Sequence, residues 1–128
     1  MELQLAEKLA DDLIAAEIAK QDAMWGRLNE RADTSRGQLF DAAHAQIWLT
    51  MAKIEGSSAE DALESAKHLY PGDWSGFRDY GSHIANIVVA IAFLRQEIKR
   101  KLMNGEDFTR AARQPDQPYN PETGLPKV

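Results

Sequence analysis

Between Ile84 and Leu94 every position but Asn86 is apolar, and helix-compatible residues extend the run over about 75–104. No strand is that long, and a helix apolar on every face needs neighbours all round it. The apolar stretch is also well short of the ~20 residues that span a bilayer. It predicts a long, buried central helix. The rest of the chain must then supply helices that cover it.

Three further segments fit that need. Over about 2–25, Leu3, Ala6, Leu9, Ala10, Leu13, Ile14, Ile18, Met24 and Trp25 recur at helical steps, and Gly26 ends the run. Over about 36–55, Phe40, Ala43, Ile47, Met51 and Ile54 form one apolar stripe, with Thr34 and Ser35 as N-cap candidates and Gly56 as a stop. Ser57 and Glu60 read as a capping box for a helix over about 58–69, which Pro71-Gly72-Asp73 breaks. The basic end of the last helix (Arg95 to Lys101) suits its dipole, Asn104-Gly105 closes it, and residues 106–112 have room for one more helical turn. No alternating β-branched segment is present. The expectation is an all-α, four-helix bundle-like domain over 1–112. Residues 113–128 hold four of the five prolines and read as an extended or disordered tail.

Charge and composition narrow the function. Fifteen basic against twenty acidic side chains give a net charge of −5, which argues against broad, non-specific nucleic-acid binding. There is no cysteine, so disulfide scaffolds and thiolate chemistry are excluded. With an N-terminus that lacks a signal-peptide pattern, the chain is expected in the cytoplasm, away from membranes.

Two rows of polar side chains interrupt the apolar pattern. Gln38, Asp41 and His44 share a face of the second helix, with Trp48 a turn further on, while Asp79, His83 and Asn86 fall on one face of the last. Such rows on facing helices converge on a ligand or metal, or they form buried hydrogen-bond networks that fix helix register. His68 reads as a dipole partner at a helix end. The histidines lack zinc-site spacing, and phosphate-loop, dinucleotide and hydrolase motifs are absent. Trp25 and Trp74, at helix–loop junctions, suit either a core lid or a base-stacking wall.

Taken together these stretches resemble the all-α nucleoside-triphosphate pyrophosphatases, the MazG-like group, and especially its small phage-encoded members. Gln21-Asp22-Ala23-Met24-Trp25-Gly26 is similar to a QDAKWG segment of those phage relatives, and the likeness extends over about residues 10–104. The resemblance implies cleavage of a nucleoside triphosphate to monophosphate and pyrophosphate, and assembly as a dimer or tetramer. It implies an E-x-x-E and an E-x-x-D pair holding Mg²⁺, because that ion takes hard oxygen ligands. Here the two positions read Asp41-Ala42-Ala43-His44 and His83-Ile84-Ala85-Asn86. Carried over, the catalytic set is Asp41, His44 and His83. The metal set is Asp41, His44, Asp79 and His83, and Trp25, Gln38 and Asn86 contact the nucleotide. Imidazoles shift metal preference from Mg²⁺ towards Mn²⁺, with Zn²⁺ a weaker fit. A nucleotide-binding protein with altered or lost hydrolysis is therefore expected. The alternative is a non-catalytic interaction module that works through an exposed helix face or the proline-rich tail.

Overall fold

Serine or glycine stands at the start of three of the four α-helices of this chain. The computed structural model describes residues 1–26, 31–109 and 120–124. Within them lie α1 (Leu3–Trp25), a short 3-10 helix (Ala32–Thr34), α2 (Gln38–Ile54), α3 (Ala59–Lys67) and α4 (His83–Met103), with no strand among the described residues. The fold is all-α. No helix among the described residues is long and apolar enough to cross a membrane. Most of the proline-rich segment lies outside the described residues; within it, residues 121–123 form a turn.

Each predicted start moves C-terminally. Thr34 does not cap α2; it is fully buried in the 3-10 turn, its hydroxyl donating to the Arg31 carbonyl. Gly37 holds the cap position instead, at φ 80°, a conformation that glycine adopts without a Cβ clash. For α3 the capping oxygen is that of Ser58, accepting from the Asp61 amide at 3.1 Å, one residue beyond the Ser57–Glu60 pairing. The largest shift is at α4. It starts at His83, not near residue 75, with the Ser82 hydroxyl accepting from the Ala85 amide at 3.0 Å. Gly81, at φ 92°, ends the preceding loop in a backbone state no α-helix contains. Asp79 therefore lies in that loop and not on a face of α4 with His83 and Asn86. Residues 106–109 are not helical.

α2 and α4 pack antiparallel. Lys53 meets Asp79, Gln46 meets Asn86, and Leu39, Ala42 and Ala43 pack with Val89, Ala90 and Phe93. Fully buried Leu39 contributes about 2–3 kcal/mol of transfer free energy, and the alanines let the two backbones approach. A second cluster joins Leu49 to Ala62 and Ala66 of α3. α1 runs parallel to α4: Leu13 lies level with Ile84, and Asp22 with Gln96 and Lys99. Its first turns extend beyond the start of α4, leaving Leu3, Leu5 and Leu9 exposed.

Two core expectations are overturned. In the α2 stripe only Ala43 is buried; Phe40, Ile47, Met51 and Ile54 face outward. α4 is not surrounded either, since Ile84, Ile87, Ile91, Ile98 and Leu102 are exposed. The core between these helices is built from small residues, so the bulky ones were displaced to the other face.

Candidate functional site

The two predicted polar rows do not face each other across a hollow. Asp41 and His44 sit roughly 200° and 140° around α2 from the Leu39–Gln46 line that meets α4, and both are exposed. His83, the first residue of α4, is exposed as well. Gln38 turns back to accept from the Arg36 amide at 2.6 Å. Among the described residues no group of three or more His, Asp or Glu stands close enough to hold a metal, so Asp41, His44, Asp79 and His83 are not brought together as a metal set.

Asn86 and Asp79 do come together, in a network that the sequence only half displays. Asn86 is fully buried, and its Oδ1 accepts from Gln46 Nε2 at 2.8 Å and from the Tyr80 amide at 3.0 Å. Its Nδ2 donates to Asp79 Oδ1 at 3.1 Å. Gln46 Nε2 also donates to the Arg78 carbonyl at 3.1 Å. Lys53 closes the network with an ion pair to Asp79 Oδ2 at 2.6 Å, both side chains largely buried. Lys53, followed by the Gly81 amide, holds the Asp79 carboxyl down at about 2.

That depression makes the network sensitive to acid. An aspartate titrates near 3.9 when unfolded, so the stabilisation is complete above about pH 4 and is lost as pH falls through about 2. It amounts to roughly 2 kcal/mol. Urea midpoints of the wild type and Asp79→Asn should differ at pH 6 and converge near pH 2; a constant gap would contradict the assignment.

Beside this network lies a cleft of about 690 Å³ between the end of α1, the 70–80 loop and Phe93 of α4. Its walls are aromatic. Trp25 stacks on Phe93 at 5.6 Å and meets Trp74 edge-on at 5.3 Å, while Tyr70 packs between Trp74 and Phe77. Trp74 is pinned by its indole N–H, which donates to the Asp33 carbonyl at 2.9 Å. Burial, with the neighbouring Tyr80, pushes the Tyr70 phenol above its usual range. Cations and carboxylates share the lining, Lys20, Arg31 and Arg78 with Glu17, Asp33 and Asp73. Arg31 is bound bidentately to Asp33 and lies 5.9 Å from the Trp25 ring centre, and it holds the Asp33 carboxyl low. The Arg78 guanidinium rests 4.7 Å over Tyr80, with no ion-pair partner among the described residues.

Gln21 is the group that marks the cleft as unfinished. It is the buried residue of α1, only 4% exposed, and it lines the cleft. Its Oε1 has no hydrogen-bond partner among the described residues. A buried amide oxygen left unpaired costs about 1–3 kcal/mol. Next to it, Asp22 fastens α1 to α4: Lys99 at 2.9 Å, Gln96 at 2.8 Å and Arg95 at 3.3 Å all donate to it, and the Lys99 and Gln96 bonds depress its pKa.

The sequence therefore pointed to Trp25 and noted Trp74, but missed Gln21, Arg78, Tyr80, Gln46 and Lys53. Gln46 carried a readable signal, being polar amid Leu39, Ala42, Ala43 and Leu49 at core spacing. Arg78 and Tyr80 carried none. No protein-family model, curated protein or solved structure matches the chain.

Proposed function

We propose that this chain is a nucleotide-binding protein and that the aromatic cleft is its site. The observation that carries the reading is buried Gln21, whose Oε1 has no partner among the described residues, in the lining of a cleft built from Trp25, Trp74 and Tyr80. A nucleobase supplies what that oxygen lacks, a ring N–H or amino donor, together with a flat face for the indoles. Arg78 and Lys20 line the cleft, Lys20 beside Glu17 at 3.3 Å, and supply positive charge for a phosphate chain. The volume suits a ligand of nucleotide size. Asp41, His44 and His83 have no part in this site, which favours binding, with hydrolysis altered or lost, over the full pyrophosphatase chemistry. Magnesium or manganese would then arrive on the triphosphate. Cytoplasm, rich in nucleotides and reducing, suits the cysteine-free chain.

Tryptophan fluorescence tests this directly. With Trp48→Phe as background, the remaining indoles are both in the cleft. Titration with the ribo- and deoxynucleoside triphosphates, with and without Mg²⁺ or Mn²⁺, should give saturable quenching for at least one base. Arg78→Ala and Gln21→Leu should each weaken it about tenfold, the loss of one charge-assisted or buried hydrogen bond. Gln21→Leu should leave stability unchanged or higher, because it removes an unpaired oxygen. Unchanged fluorescence with every nucleotide at millimolar concentration would end the proposal.

The exposed faces of α2 and α4 favour a second role, interaction through a helix surface.

A further inference from the structure

Along α1, Glu17, Gln21 and Trp25 fall four residues apart, so they stand in one row on the wall of the cleft. Trp25 offers a flat face, and the other two are acceptors short of partners. Gln21 Oε1 is buried and has none among the described residues. The Glu17 side chain is only 13% exposed, and among the described residues its carboxylate meets Lys20 alone, at 3.3 Å through Oε2. Lys20 is itself 66% exposed, which leaves Glu17 Oε1 to a ligand. A covered carboxylate has room for about four hydrogen bonds and is costly to leave unfilled. The row therefore asks for a ligand edge with donors side by side.

Which base has such an edge follows from its chemistry, and the inference rests on the reading of the cleft as a nucleotide site. Guanine carries two donors in adjacent positions, the ring N1–H and the N2 amino group. No other common base does. At the position of that amino group adenine has a C–H, and cytosine and uracil have a carbonyl oxygen that a carboxylate repels. We infer that the cleft selects guanine nucleotides, Glu17 accepting from the N2 amino group and Gln21 Oε1 from N1–H, while Gln21 Nε2 donates to O6. Both acceptors of the row are then met. This edge of the base is turned away from the glycosidic bond, so the ribose and phosphates leave α1 towards the 70–80 loop, which carries Arg78.

The test is isothermal titration of the full chain with the triphosphates of guanosine, inosine, xanthosine, adenosine, cytidine and uridine. Guanosine triphosphate should bind at least about tenfold more tightly than each of the others. The inosine comparison is the sharpest, since that base lacks the N2 amino group alone. Glu17→Gln keeps the shape of the side chain and should weaken guanosine triphosphate about tenfold. It should also bind xanthosine triphosphate more tightly than guanosine triphosphate, because an amide donates to the 2-oxo oxygen that replaces the amino group. Circular dichroism checks that the variant is folded; if it is not, the guanosine and inosine affinities of the wild type decide alone. No binding of any nucleotide ends the nucleotide reading, and the guanine assignment with it. Affinities for several bases within about threefold, or a tighter fit for a base other than guanine, keep the nucleotide reading and overturn the assignment. A folded Glu17→Gln variant with the wild-type order of preference overturns it as well.

Discussion

Phe93→Ala should lower unfolding free energy by about 3–4 kcal/mol and the melting temperature by roughly 10 °C. Phe93 is 6% exposed and serves two assemblies at once. On one side it packs with Leu39, Ala42 and Ala43; on the other it is the floor against which Trp25 and Trp74 are arranged. On the helix side Ala42 and Ala43 are too short to fill the gap, and Trp74 is pinned by its bond to the Asp33 carbonyl, so the cavity term stays near its full size. Differential scanning calorimetry gives the number. A loss under about 1 kcal/mol would show that the aromatic cluster collapses onto the missing ring.

Asn86→Ala should cost about 3 kcal/mol in urea denaturation at neutral pH. The truncated side chain leaves the Tyr80 amide without its acceptor and takes one partner from Gln46 and from Asp79. Each group was desolvated in expectation of that amide, and none gains water in return. Gln46→Ala should cost less, because Asn86 Oδ1 keeps the Tyr80 amide. If the two truncations proved equal, the order of importance drawn from the hydrogen bonds would be wrong.

How much of this was legible beforehand depends on which physical signal each feature rests on. The four helices were visible because Gly26, Gly56, Pro71 and Gly105 punctuate the chain whatever packs around it. The start of α4 was not: residues 75–82 keep a helix-compatible pattern, and the loop there is held by Asn86 together with Gln46 and Lys53, which are far away in sequence. Bulk does not mark the core face of α2. Here Ala42, Ala43 and Ala45 are buried and Phe40 is not. Of the candidate site, Trp25 could be named from its place at a helix end. Gln21 could not, since an unpaired oxygen is a property of the folded surroundings alone.

One segment belongs to both the amide network and the cleft. The loop that carries Trp74, Arg78 and Tyr80 is anchored at the Arg78 carbonyl by Gln46 and at the Tyr80 amide by Asn86. Occupancy of the cleft by a ligand and pairing of α2 with α4 would consequently be linked equilibria. Whatever ligand holds the loop in place shields the amide pair from solvent exchange, and whatever loosens the amide pair lowers the ligand's affinity by the same free energy.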